Sequence, residues 1–273
     1  MARVVIDPDK CIACGICTQD CCMHNLTVKE GICQLKKPCV CCGHCLALCP
    51  VQAISIEGYP NDDIEQHRLY SISSAEMLNS IKSRRSIRHF DSRPVTKELL
   101  QHMLEAGRHA PTGGNRQQVG YIVIQDKMPE IKELLWEGLD SMGEYYISSG
   151  WTHTDPMQNK YPRLWRSMYR LHQQNTAPDE LFFDAPVLLI IRCVDLSDGY
   201  IASAYIDMMA NSYNLGCLYS GFLEQAIRGS KQAQELLNIS EQDNLICLLL
   251  GYPDKNISYL RTPPRKSSDI LWM

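Results

Sequence analysis

Eleven of the chain's 14 cysteines fall between Cys11 and Cys49. Two sets of four share the spacing C-x2-C-x2-C-x3-C. Cys11, Cys14, Cys17 and Cys21 form the first; Cys39, Cys42, Cys45 and Cys49 repeat it 28 positions later. Thiolates are soft ligands, and three at this spacing wrap one corner of an iron–sulfur cubane while a fourth arrives from farther along the chain. Crowded cysteines also build disulfide frameworks, but those belong to exported miniature domains. No basic head with a long apolar stretch opens this sequence. A pair of four-cysteine zinc sites is the competing metal reading. Zinc ribbons use separated C-x2-C pairs, so the triplets favour clusters.

The second run ends in Cys49-Pro50. Both runs resemble those of bacterial two-cluster ferredoxins, in which the fourth cysteine of each run ligates the other cluster. The resemblance implies one 4Fe-4S cluster on Cys11, Cys14, Cys17 and Cys49, and a second on Cys39, Cys42, Cys45 and Cys21. Cys22 stands where the first run would carry proline. Cys22, Cys33 and Cys41 are read as buried small hydrophobes, with substitution for a ligand as the alternative. His44 reads as a hydrogen-bonding neighbour. Arg3–Asp7 and Ala53–Glu57 are short alternating pieces suited to a small hairpin.

A second group of chemically able residues begins at Ser83-Arg84-Arg85-Ser86-Ile87-Arg88. Alone, such a cationic run reads equally as a solvated face. Ala110-Pro111-Thr112-Gly113-Gly114-Asn115-Arg116-Gln117 follows, with glycines for close backbone approach and two amides able to read a heterocycle. A simple turn is its plainer reading. With Leu215-Gly216, Ser220-Gly221, Leu250-Gly251-Tyr252-Pro253 and Arg265-Lys266, these segments resemble the nitroreductase family over residues 78 to 273. The resemblance implies an α+β fold, non-covalent FMN and a homodimer with flavins at the subunit interface. It places Arg84, Ser86 and Arg265 on the FMN phosphate, which guanidinium groups grip bidentately. Arg85 contributes through its backbone, and Arg88 lies near the pyrimidine edge, where a cation stabilises the reduced ring. Asn115 and Gln117, within the loop of Pro111, Thr112 and Gly113, hydrogen-bond the ring or ribityl chain. Gly221, after Ser220, brings main chain against the cofactor. Gln118-Val119 replace the proline and aromatic residue common in relatives, so the surface beside the ring departs from the family pattern.

The elements that position these groups are partly legible. Ser73 and Glu76 fit a capping box that opens a helix running to Ser83. Val95, Leu99, Leu100, Met103, Leu104 and Gly107 recur at helical steps. Gly120–Ile124, Val187–Val194 and Asn244–Leu250 read as strands. Ile201, Tyr205, Met208, Met209 and Tyr213 mark an apolar helix, with Gly216 as its C-terminal cap. Cys193, Cys217 and Cys247 read as core residues. The aromatic-rich stretch 134–184 reads equally as a lid over the flavin or as interface and core packing. The domains are therefore 1–58 (ferredoxin-like), 59–77 (linker, around the polar stretch from Gly58 to Ser74) and 78–273 (FMN-binding).

A net charge of −4 gives no basis for a nucleic-acid partner. No run reaches the roughly 18 apolar residues of a membrane helix, so the expected location is the cytoplasm. The function that follows is an electron relay. An external donor (ferredoxin, flavodoxin or NAD(P)H) supplies the clusters, the clusters supply FMN, and FMN reduces a small-molecule acceptor such as a nitroaromatic or quinone. No catalytic triad or carboxylate pair is needed. The rival reading is a non-catalytic carrier or adaptor docking to a larger redox complex; a third is a family branch that dehalogenates substrates or fragments flavin.

Overall fold

A computed structural model describes residues 3–60, 63–65 and 72–273. Part of the segment read as a linker, 59–77, lies outside the described residues. By its contacts the chain divides into two compact units. One is Met1–Ser71 with Thr112–Gln117; the other is Ile72–Pro111 with Gln118–Met273.

In the first unit the cysteine repeat is a backbone repeat. Its elements are β1 (Arg3–Ile6), α1 (Ile16–Asp20), β2 (Leu26–Lys29), β3 (Ile32–Leu35), α2 (His44–Leu48) and β4 (Ile54–Glu57). α1 and α2 are separated by 28 positions, as the cysteines are. Left-handed backbone recurs at the same offset, at Ala13 and Cys41, Gly15 and Gly43, and His24 and Gln52. Gly15 and Gly43 each precede a short helix at φ 76° and 82°, where a side chain would be strained. β1 pairs antiparallel with β4, so Arg3–Asp7 and Ala53–Glu57 meet as the alternation predicts. β2 and β3 form a hairpin whose two-residue turn, Glu30-Gly31, has positive φ at both positions. Such a turn matches the right-handed strand twist. Val4, Leu26, Ile54 and Ile56 make a small apolar core with Cys17, Cys33 and Cys41. Cys33 and Cys41 are buried as expected; Cys22 is exposed and does not behave as a core residue.

The second unit opens with α3 (Ser74–Ser83), where the Ser73 side chain accepts from Glu76 N at 3.2 Å. Next come α4 (Lys97–Arg108), β5 (Val119–Ile124), α5 (Met128–Ser148), α6 (Tyr161–Gln173), β6 (Val187–Cys193), α7 (Leu196–Ser212), β7 (Gly216–Tyr219), α8 (Gly221–Gly229), α9 (Lys231–Leu236) and β8 (Asn244–Gly251). The sheet order is β5-β6-β8-β7, every neighbour antiparallel. β6 is apolar from Val187 to Ile191 and β8 from Leu245 to Leu250, because both faces are covered there. Leu188, Ile190, Cys247 and Leu249 face a core shared with α5, α6 and α8. Val187, Leu189, Ile191, Leu248 and Leu250 face one shared with α4 and α7. The fold is α+β, a helix–sheet–helix sandwich.

Two expectations about α7 are corrected. Gly216 does not cap it; Asn214 supplies the left-handed residue at φ 57°, and Gly216 opens β7. A side chain at Gly216 would run into Ile87, so that glycine serves packing. The buried face of α7 carries Ala202, Ile206 and Ala210, while Ile201 and Tyr205 are exposed. In the aromatic stretch, Trp136, Trp165 and Phe182 are core residues on α5, α6 and the following turn, whereas Tyr145 is exposed.

Candidate cofactor sites

In the first unit the cysteines line two separate cavities. One is bordered by Cys11, Cys14, Cys17 and Cys49, with Cys33 beside them. The other is bordered by Cys39, Cys42, Cys45 and Cys21. Each cavity thus collects one triplet and the fourth cysteine of the opposite run. All 14 cysteines are free thiols. Several sulfurs receive backbone N–H groups: Cys21 from Asn25 (3.3 Å), Cys49 from Ala53 (3.2 Å), Cys11 from Cys33 and Cys39 from Cys41 (both 3.4 Å). The first two bonds stand 28 positions apart, like their acceptors. Burial pushes the Cys45 thiol up to about 11, with neighbouring cysteines adding to the shift. Among the described residues, no three His, Cys, Asp or Glu side chains gather closely enough to hold a metal ion.

The loop Thr112–Gln117 is held inside this unit by its own side chains. Asn115 Nδ2 donates to Cys41 O (2.9 Å) and Val40 O (3.3 Å). Gln117 Nε2 donates to Asn115 Oδ1 (3.2 Å) and Tyr59 Oη (3.3 Å), and Gln117 N donates to Thr112 Oγ1 (3.0 Å). Asn115 and Gln117 both have positive φ, at 54° and 52°. For glutamine this is costly backbone, retained here by the bracing around it. The amide donors of both residues are engaged with protein partners.

In the second unit, Arg84 and Arg85 line a cavity of about 260 Å³, together with Asp207, Asn211, Gly216, Cys217 and Tyr259. Arg84 follows the end of α3, and Ser86 forms a bridge to Cys217 at β7. Arg84 Nη1 lies 3.3 Å from the buried carboxylate of Asp207, yet this nitrogen is buried with no hydrogen-bond acceptor. Burial raises the Asp207 pKa and Arg84 opposes that rise. Burial, with Asp207 adding, also pushes the Cys217 thiol well up. Arg85 donates to the carbonyls of Lys82, Arg84 and Arg261, at 2.8, 2.7 and 2.9 Å. Ser220 caps α8, accepting from Leu223 N at 3.4 Å, and a side chain on Gly221 would meet open space. Arg88, Pro111 and Arg265 are exposed.

Of the residues expected around a flavin, the structure therefore brings Arg84 and Arg85 to one cavity. Ser86, Arg88, Ser220, Gly221 and Arg265 are not among those bordering it. Sequence reasoning missed Asp207, Asn211 and Tyr259. Asp207 had a signal: a carboxylate within the apolar run Ala202–Ala210 needs a partner when buried.

The four-stranded sheet covered by helices on both faces defines an α+β sandwich fold, with the arginine-lined cavity at β7. The family model described as the nitroreductase family matches residues 81–252. The chain belongs to the nitroreductase family and is a nitroreductase-like enzyme. A protein of Methanothermobacter thermautotrophicus, named for NADH dehydrogenase or NAD(P)H nitroreductase activity, is 25% identical over 197 residues, covering 68% of this chain and 81% of its own. An NADPH-dependent oxidoreductase of Staphylococcus saprophyticus is 24% identical, with 66% of each chain covered. A nitroreductase from Bacteroides fragilis, solved with bound FMN, shares the fold at TM-score 0.56 and 19% identity, over 72% of this chain and 98% of that one. Among the described residues no helix is long and apolar enough to cross a membrane.

Proposed function

We propose that this protein is an iron–sulfur flavoprotein oxidoreductase that takes electrons from a low-potential donor and reduces a small organic acceptor, a nitroaromatic, quinone or related electrophile. The observation that carries the reading is the sorting of the cysteines. Each cavity is bordered by three ligands of one run and the fourth of the other, as two 4Fe-4S clusters require. Ligands of a four-iron cubane surround a body, not a single ion, so they stand farther apart than those of zinc, at about 2.3 Å from one centre. When bound, the clusters supply one-electron steps and FMN turns them into two-electron reduction of the acceptor.

The remaining chemistry belongs to the chain. Backbone N–H groups aimed at Cys11, Cys21, Cys39 and Cys49 stabilise negative charge on those sulfurs, one of the levers that sets a cluster's potential. Arg84 Nη1, buried without a hydrogen-bond acceptor beside Asp207, fits an anionic group in its cavity, which Arg85 also borders. Arg84, Ser86 and Arg265 are proposed to hold the FMN phosphate, with Arg85, Arg88, Pro111, Thr112, Gly113, Asn115, Gln117, Ser220 and Gly221 completing the site. Tyr200, Ile201 and Tyr205 expose an apolar face on α7, which supports a homodimer. Relatives named for NADH or NADPH use support a nicotinamide as one donor, beside a ferredoxin or flavodoxin.

Anaerobic purification with iron, sulfide and flavin counted per chain tests the reading. About eight irons, eight sulfides and one FMN are expected. A colourless, zinc-loaded protein would end it.

A further inference from the structure

We propose that Cys33 is a positioning residue of the first cysteine site: its thiol donates a hydrogen bond to the Cys17 sulfur and makes a cluster held there easier to reduce. This rests on the cluster reading above and goes beyond it by making the two sites unequal in potential.

The repeat equips both sites alike with backbone donors. One N–H is aimed at the fourth cysteine of a run, from Ala53 to Cys49 at the first site and from Asn25 to Cys21 at the second. Another is aimed at the leading cysteine of a triplet, from Cys33 to Cys11 and from Cys41 to Cys39. The spare thiols differ. Cys33 borders the first cavity, and its Sγ lies 3.4 Å from Cys17 Sγ. Cys41 borders neither cavity, and its thiol donates to the Cys39 carbonyl at 3.7 Å.

A cysteine that ligates is a thiolate and carries no hydrogen. Within the pair of Cys17 and Cys33, the donor is then Cys33. A hydrogen bond to a ligand sulfur draws charge from it and so favours the reduced, more negative cluster. Cys33 is 3% exposed, so water does not stand in for its thiol. One residue thus serves two ligands of the same site, Cys11 through its N–H and Cys17 through its side chain.

Strand pairing identifies what replaces Cys33 at the second site. β2 displaced by 28 positions is β4. Val28 on β2 pairs with Cys33, and Ile56, its repeat mate on β4, pairs with Val4. Val4 is buried as Cys33 is and borders the second cavity, but its side chain has no hydrogen to donate. Cys45, the repeat mate of Cys17, therefore receives no such bond from that position.

The test is a mediated dithionite titration of anaerobically purified holoprotein, with each cluster's reduced signal followed by electron paramagnetic resonance. Each couple takes one electron from dithionite, and no bond is made or broken. Cys33→Val, which copies Val4, should lower one couple by about tenfold in its equilibrium, about 59 mV for one electron, and leave the other in place. The size is that of one hydrogen bond to a charged group, at the low end because a thiol is a weak donor. Cys33→Ser, which keeps a donor, should stay nearer to wild type. Val4→Cys should raise the other couple, and it reads the same effect where Cys33→Val does not retain its iron. Unchanged potentials in Cys33→Val, an equal shift of both couples, or a Cys33→Ser couple as low as that of Cys33→Val would overturn the proposal. So would unchanged potentials in Val4→Cys where Cys33→Val cannot be loaded. A wild-type protein without iron and sulfide would instead fail the cluster reading, and the metal count shows that before any titration.

Discussion

Helices α5 and α8 cross at glycine, and that crossing sets where α8 begins beneath Ser220 and Gly221. A Cβ at Gly138 would overlap the carbonyl oxygen of Ala226 and sit 3.0 Å from Ser230 Cβ; one at Gly229 would overlap the Gly138 carbonyl. Gly138→Ala therefore sets two effects against each other. Alanine is the better helix former by about 1 kcal/mol. Overpacking costs about 1–3 kcal/mol, and sits at the high end when the obstacle is backbone that no rotamer change can move. The net expectation is a loss of about 2 kcal/mol, which for a unit of this size lowers the melting temperature by roughly 4–8 °C. Thermal unfolding of the holoprotein by far-ultraviolet circular dichroism reads it directly. Displacement of α8 should also weaken FMN retention. An unchanged or raised melting temperature would refute the reasoning, because propensity would then outweigh the contact and the crossing could not be as close as described.

Asp207→Ala should destabilise the protein by up to about 3 kcal/mol, since it leaves the partly buried Arg84 without its counter-charge; urea unfolding measures this. Glu224→Gln tests linkage. Burial raises the Glu224 pKa above its ordinary 4.5, with Arg228 working against the rise, so its favourable contribution is full at acid pH and is lost as pH climbs through the folded-state value. The glutamine variant should gain stability over wild type at neutral pH and lose that gain below the ordinary value, as melting curves across pH would show. Cys217 and Cys247 have thiols raised by burial, so native alkylation at mildly alkaline pH should spare them while labelling exposed Cys22; peptide mass spectrometry reads the order.

The parts legible in the sequence were those written in local pattern. β6 and β8 announced themselves as unbroken apolar runs, because a strand covered on both faces has no polar positions to alternate. The cap at Ser73 was legible because both partners lie within one turn. Gly216 misled because a glycine after an apolar helix usually ends it, whereas Asn214 had already taken the left-handed position and Gly216 answers to Ile87, far away in sequence. α8 carries Leu223, Ala226 and Ile227 at helical steps, a period the sequence offered over only nine residues, while α9 is shorter still at six. The repeated cysteines carried more than ligand identity: the same offset reproduced the glycines and turns of the first unit.

The polar contacts at the candidate sites were the illegible part, and they alter the chemistry most. Sequence placed Arg84 as a free phosphate grip, but its cation is half spent on Asp207, 123 positions away. Arg85 keeps its charge, but its guanidinium donates to the carbonyls of Lys82, Ser83, Arg84 and Arg261, so the cavity's attraction for an anion depends chiefly on the Arg84 nitrogen that Asp207 leaves without a hydrogen bond. Buried, that nitrogen has lost water and gained no acceptor, a cost of about 1–3 kcal/mol that a bound phosphate oxygen would relieve. The same buried carboxylate that weakens the charge holds the guanidinium in place, so affinity for an anion here should come from orientation more than from net charge.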